Sequence, residues 1–310
     1  MSIRDNLQKR ADLYAKIRAF FAERNVLEVE TPLLCQHTVT DPHIDSFAVP
    51  INTEKNYFLQ TSPEYAMKRL LAAGSGPIYQ ITKSFRVGES GHQHNPEFTM
   101  LEWYRIGFNH HDLMDELDAL LQYTLQTKPA KKINYRQLFL SHLNIDPFKT
   151  DITVLKKRIR DHHIMVDTHE MNHDTALQIL LSHLIEPKLG IQTPLFLYDF
   201  PPSQAALSKI RQDNPAVAER FELYIAGSEI ANGFHELTDA TEQQKRFEKN
   251  QLDRKHNQQA IPAIDHYFID ALKSGLPACA GVAIGIDRLL MKKTKTHAIQ
   301  DVISFPFDHA

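Results

Sequence analysis

Two strand-like runs, Ile78–Phe85 and Phe98–Ile106, follow one another with only a polar loop between them. That loop carries two histidines and an Asn-Pro but no apolar period, so it offers no crossover helix. Parallel neighbours need a crossover of a dozen or more residues, usually helical, whereas strands joined like these pair antiparallel. Further strand-like runs occur at Leu195–Phe200, 221–225 and 229–237, and 281–286 is a glycine-punctuated strand that leads into a final helix. The expected class is α+β, a mainly antiparallel sheet flanked by helices, rather than a doubly wound parallel sheet.

Helices fill the gaps. From Asn6 to about Asn25 the residues Leu7, Ala11, Tyr14, Ile17, Phe20 and Phe21 recur at helical steps, and the alternating stretch from Val26 to Thr31 then reads as a strand halted by Pro32. Ser62-Pro63-Glu64 opens another helix with a capping hydroxyl, a first-turn proline and an early acid, and Gly74 to Gly76 ends it. His110 to Gln126 and the charged segment Ala240 to Gln259 are helical, the latter expected as an exposed face of charge pairs. A mostly helical insertion spans about 130–190, and with no low-complexity linker the whole of 1–310 reads as a single catalytic domain.

Composition narrows the class further. At 310 residues, 42% hydrophobic and 24% charged, with a net charge of -3, the chain is that of a globular protein without the basic excess that would advertise a nucleic-acid surface, although a local patch stays open to an acidic protein. Its amino-terminal stretch, Met-Ser-Ile-Arg-Asp-Asn, has no secretory core, no run is apolar enough to span a bilayer, and the two distant cysteines, Cys35 and Cys279, suit a reduced cytoplasmic protein.

Three segments concentrate chemistry. In Phe85–Arg105, Arg86 stands at a strand end where it can fork onto two oxygens, or else pair with Glu89; Phe98, Glu102 and Tyr104 share one strand face, where a carboxylate and a phenol can receive an ammonium. In 228–240, Glu229 and Glu236 are seven apart and would fall on opposite faces of an even strand. A bulge or kink at Gly233 would bring them to one side, where they could share Mg²⁺; an amphipathic strand with one solvated and one functional acid fits equally well. In 281–288, Gly281, Ala283 and Gly285 leave one strand face almost bare for a flat ligand, or for tight sheet packing, and Arg288 opens the next helix.

These three segments, in this order, resemble the signatures of the class II aminoacyl-tRNA synthetases, and in detail the lysyl branch. Arg24 to Leu34 is similar to the first, dimer-forming motif with its proline at Pro32, Phe85 to Tyr104 to the second, Gly281 to Arg288 to the third, and 232–240 to the lysine-pocket segment. Lysyl-tRNA synthetases carry an amino-terminal barrel that reads the anticodon; here the helix ahead of the first motif starts almost at Met1, so no such domain is expected and tRNA is not an expected partner. The nearest resemblance, extending to Leu-Glu-Trp-Tyr-Arg at 101–105, is to the truncated branch that attaches (R)-β-lysine to a lysine of translation elongation factor P.

The resemblance implies roles. Ser62, Pro63, Glu64, Glu102, Tyr104, Asn232, Glu236 and Ala283 would surround the amino acid; Arg86, Val87, Gly88, Asn95, Phe98, Glu229, Ile230, Gly285 and Arg288 would hold ATP, with Phe98 stacked on adenine. Arg86 and Arg288 would be catalytic, Glu229 and Glu236 would carry Mg²⁺, and a homodimer would place Arg18, Phe21 and Pro32 near its interface. Lysyl-tRNA synthetases typically have glycine where Ala283 stands, which fits a substrate whose amino group has moved from the α to the β carbon. The second motif also departs from the usual pattern: Gly88 takes the place of an acid, which comes at Glu89, so the adenine contact falls to Gly88 backbone or a shifted Glu89.

Rival readings are a free-standing lysyl-tRNA synthetase core and an inactive paralogue used as a binding module, the latter opposed by the intact Arg86, Glu229, Glu236 and Arg288. His169-Glu170-Met171-Asn172-His173 matches the H-E-x-x-H zinc-protease pattern, but Asn172 to Asp174 look like the cap of a helix beginning near Thr175, and no third ligand is evident. The pairs His110-His111 and His162-His163 read as solvated helix ends.

Overall fold

The computed structural model describes residues 3–52 and 56–310; Met1 and Ser2 of the amino-terminal stretch lie outside them. In chain order come helix α1 (Ile3–Ala22), strands β1 (Leu27–Glu28), β2 (Leu34–Cys35), β3 (Ala48–Pro50) and β4 (Asn56–Leu59), and helix α2 (Glu64–Ala72). Strands β5 (Ile78–Phe85) and β6 (Glu97–Ile106) precede helix α3 (His110–Leu125), β7 (Lys131–Asn134), and helices α4 (Tyr135–Leu143), α5 (Ile152–Asp161) and α6 (His173–Leu180). Strands β8 (Leu195–Phe200), β9 (Ile210–Arg211), β10 (Val217–Ile225) and β11 (Ser228–His235) follow, then α7 (Ala240–His256), α8 (His266–Gly275), β12 (Cys279–Gly285) and α9 (Ile286–Thr294). They fall into two compact units, one formed by the chain up to Phe108 with Leu237–Ala310, the other by Asn109–Glu236.

In the first unit β5 pairs antiparallel with β6 and β6 antiparallel with β12, while β1 lies parallel to β5. The expected hairpin is therefore present. Period-2 alternation turns Tyr79, Trp103 and Val282 to one face, and there Phe21 of α1 stacks on Tyr79 at 4.4 Å and meets Trp103 edge-on at 5.3 Å. Phe21 is thus wholly buried core, whereas Arg18 is exposed and forks onto Glu28. The strand expected from Val26 to Thr31 shrinks to β1, because only the backbone near Leu27 and Val29 bonds to the Pro77–Tyr79 segment before Pro32.

Helix α7 is not the wholly exposed face its charges suggest. Gln243, Phe247 and Arg254 are buried, and Arg254 gathers a loop of the same unit: its guanidinium donates to the carbonyls of Thr40, Asp41, Ile44 and Ala260 and to Asp45 at 2.6–3.1 Å. The loop in turn accepts the Val87 N–H at the Asp45 carbonyl, so α7 braces the second-motif hairpin. Arg254→Ala leaves four carbonyls without that donor and is expected to destabilise the fold by about 3 kcal/mol, read as a lower urea midpoint at unchanged slope. An unchanged midpoint would show that the loop stands without it.

In the second unit β10 pairs antiparallel with β8, β9 and β11, and β7 lies parallel to β8. The expected helical stretch is present as α4, α5 and α6, which bury Leu138, Phe139, Leu155, Ile159, Leu177 and Leu180 in one core with Phe200 and Tyr224. Gly190 has φ +66°, and a Cβ there would sit 2.3 Å from the Tyr224 carbonyl, so only glycine allows this approach. No helix among the described residues is long and apolar enough to cross a membrane.

Candidate active site

Register aligns the candidate residues of the first unit. On β6, Tyr104, Glu102 and Met100 lie directly opposite Gly281, Ala283 and Gly285 of β12, and on the other side opposite Ile78, Gln80 and Thr82 of β5. The bare strip expected from Gly281, Ala283 and Gly285 thus runs alongside Glu102 and Tyr104. Glu102 is 3% exposed and accepts a 2.6 Å hydrogen bond from the Tyr104 hydroxyl, so the phenol orients the carboxylate from two residues away on the same face.

At the strand ends the cations converge on the hairpin loop. Arg86 donates to Glu89 at 3.2 Å and to the Thr61 carbonyl, with its guanidinium 5.2 Å from the Phe98 ring centroid. Gly88 has φ +80°, a conformation side chains resist, and the acid at Glu89 is engaged with Arg86. Arg288, in the first turn of α9, donates to the Gln93 carbonyl and lies 2.5 Å from His94 Nε2. Burial, then the Arg288 charge, holds the His94 imidazole below its ordinary range, which suits an acceptor for a guanidinium. Asn95 is buried and occupied internally, donating to the Glu97 carbonyl and accepting from the Phe307 N–H.

Two residues here escaped sequence reasoning. Lys68, 1% exposed, sits one helical turn from Glu64 and binds it at 2.6 Å, so the carboxylate expected to read a substrate ammonium already holds one cation. The i,i+4 spacing from Glu64 was the available signal. Asp287 is 2% exposed; it accepts from Arg10 at 2.5 Å and from the Thr99 N–H at 2.7 Å, tying α9 to α1 and β6 immediately beside Arg288. Near Glu64, Ser62 Oγ accepts from the Glu64 N–H at 3.2 Å, and Pro63 takes the cap position of α2.

The second unit carries Glu229, Ile230, Asn232 and Glu236. A bulge does occur in β11, but not at Gly233: Leu223 of β10 faces Ala231 and Tyr224 faces Glu229, so the extra residue is Ile230. Gly233 pairs regularly with Phe221. The bulge shifts parity so that Glu229 shares a face with Asn232 and Phe234, and Glu236 continues past β11 as an isolated bridge to Ser208. On the same face of β10 are Arg220, Glu222 and Tyr224: Arg220 donates to Glu222 at 2.5 Å and to Asn232 at 3.2 Å, and Tyr224 donates to Glu222 at 2.6 Å. Asn232 is therefore steered by Arg220, a neighbour with no signal in the linear sequence.

The H-E-x-x-H pentapeptide lies across a loop and a helix start. Asn172 caps α6 by accepting the Thr175 N–H, and His173 Nε2 lies 3.0 Å from the Thr150 carbonyl. His162 and His163 are exposed as expected, whereas His110 is 1% exposed and 3.2 Å from Asp199, a correction to its reading as a solvated end.

Comparison with known proteins supplies the lineage. Residues 1–309 match the family described as tRNA synthetases class II (D, K and N). A Vibrio atlanticus protein named elongation factor P–(R)-beta-lysine ligase is 50% identical over 307 residues, covering 97% of this chain and 95% of the relative. Proteins of the same name from Salmonella gallinarum and Hamiltonella defensa are 50% and 49% identical, each covering 98% of this chain and 96% of the relative. With that match over nearly every residue, and with an antiparallel sheet that sets the second and third motifs side by side, the chain belongs to the class II tRNA synthetase family.

Proposed function

We propose that this chain is an adenylate-forming ligase that activates (R)-β-lysine with ATP and transfers it to the ε-amino group of a specific lysine on translation elongation factor P. The observation that carries the reading is half identity, over almost the whole of both chains, to relatives bearing that name. In this reading the substrate carboxylate attacks the α-phosphate, pyrophosphate leaves, and the acceptor amine then attacks the mixed anhydride, displacing AMP. Such chemistry asks for positioning and charge neutralisation rather than a covalent nucleophile. The protein would work as a cytoplasmic homodimer built on the first motif, with 1–310 as its catalytic domain.

Arg86 would meet the charge that builds on the α-phosphate and Arg288 the departing pyrophosphate, each with the fork that suits phosphate oxygens. Phe98 would stack on adenine, and Val87, Gly88, Asn95, Ile230 and Gly285 would complete the ATP site. Glu64, Glu102 and Glu236 would receive the substrate's two ammonium groups, with Ser62, Pro63, Tyr104 and Asn232 around them. Tyr104 holds Glu102 in place, and the Ala283 methyl stands directly opposite Glu102 in the register, where it would shorten the room for an α-amino group. Glu229 and Glu236 are hard oxygen donors of the kind Mg²⁺ prefers, and Glu229 lies on the face that carries Asn232. Mg²⁺ held there would supply further neutralisation of the phosphates.

The test is direct. Purified protein is incubated with ATP, Mg²⁺ and either (R)-β-lysine or lysine, in the presence of elongation factor P or lysine tRNA, and the acceptors are weighed by mass spectrometry. One β-lysyl addition to elongation factor P is expected. Charging of the tRNA instead would make the chain a lysyl-tRNA synthetase core, and no ATP turnover would leave only a binding module.

A further inference from the structure

A second constellation of ligand-bearing side chains lies wholly within the second unit and has no part in the chemistry above. One ligand atom each of His110, Glu219 and His235 lies within 4.8 Å of the other two. His235 Nδ1 is 2.7 Å from Glu219 Oε2, and His110 Nε2 is 3.2 Å from Asp199 Oδ1. Arg211 reaches Asp199 at 2.8 Å and Glu219 at 3.3 Å. These groups come from the start of α3 and from β8, β9, β10 and β11, at the point where the β8–β10 register slips between Ala218 and Phe221.

An independent observation points to a ligand. The His110 side chain is 1% exposed, and its Nδ1 has no hydrogen-bond partner among the described residues. In the tautomer in which Nε2–H donates to Asp199, the lone pair of the ring sits on Nδ1, buried and unmatched. Buried polar atoms are nearly always partnered, and an imidazole backed by a carboxylate on one nitrogen is the arrangement that presents the other to a metal. Charge points the same way: the single guanidinium of Arg211 is shared among Asp199, Glu219 and the more exposed Asp213, so it does not balance the carboxylates beside the two imidazoles.

We propose that His110, Glu219 and His235 bind a divalent first-row transition metal, with zinc the natural occupant of a set of two imidazoles and a carboxylate, and that the ion pins α3 to β10 and β11. The contact between His235 and Glu219 now occupies the metal's place. Two ligands on a tetrahedral zinc lie about 3.3 Å apart, so the 2.7 Å contact opens by a small side-chain rotation as the ion enters. Asp199 remains behind His110 and fixes its tautomer.

The full-length chain, stripped with a chelator and dialysed, is titrated with Zn²⁺ by calorimetry and with Co²⁺ by visible absorption, without ATP. One equivalent of Zn²⁺ at micromolar affinity or tighter is expected, with a rise in melting temperature and the intense visible bands of four-coordinate Co²⁺. His235→Asn and Glu219→Gln should each remove that equivalent while circular dichroism shows a folded chain, and Glu229→Gln should leave it unchanged. Failure of the unaltered protein to bind Zn²⁺ overturns the proposal. So does binding that survives both ligand variants, or that is lost only with Glu229→Gln. Should one ligand variant misfold, His110→Asn takes its place, and the titration of the unaltered chain decides regardless.

Discussion

Arg86→Ala is expected to lower ATP–pyrophosphate exchange roughly a thousandfold while leaving the melting temperature close to that of the unaltered protein, since losing one preorganised donor to a developing charge is worth that order of rate. The side chain is a quarter exposed and carries little of the core, but it is held ready: one edge reaches the Thr61 carbonyl and Glu89, and the flat of the guanidinium lies 5.2 Å from the centre of Phe98. Arg86→Lys should recover little, because an ammonium has neither the fork nor the plane. Exchange that persists in the alanine variant would remove Arg86 from the reaction and leave it a surface ion pair.

The second large effect belongs to stability. Asp287→Ala should destabilise the protein by about 3 kcal/mol, because it strips a partly buried Arg10 of its carboxylate and leaves the buried Thr99 amide without an acceptor. Asp287→Asn tests the same point more finely. A carboxamide has one oxygen, so it can satisfy Arg10 or the Thr99 N–H but must turn an N–H donor toward the other, and it should restore less than half of the loss. Because Asp287 is the residue before Arg288, the folded fraction of either variant should also show a raised KM for ATP. Urea midpoints matching the unaltered protein would refute the bracing role.

The hairpin and its polar face were legible because a period of two is written directly into a sequence, and Phe98, Glu102 and Tyr104 needed no partner to declare their shared side. What depended on a second strand was not. The bulge at Ile230 is defined by Leu223 and Tyr224 opposite it, so its neighbour Gly233 looked the better hinge on conformational grounds alone. His110 stands at the start of a helix, where exposure is the usual fate, and its partner Asp199 returns only on a later strand. The strands β2, β3, β7 and β9, four residues or fewer, carry too little alternation to read. Among the site residues, those fixed by motif order could be named, whereas Lys68, Arg220 and Asp287 act on them through contacts that the linear order hides.

The clasp that Arg254 makes on the Thr40–Asp45 loop has a bearing on how the chain is made. Thr40 and Arg254 are separated by 214 positions, a stretch that takes a ribosome about 10 to 40 s to add. Until α7 follows, the emerging Phe85–Arg105 arm has only an unclasped loop behind Val87, so the shape of this hairpin is settled late in translation, and a chain stalled before α7 would be born with that arm unbraced.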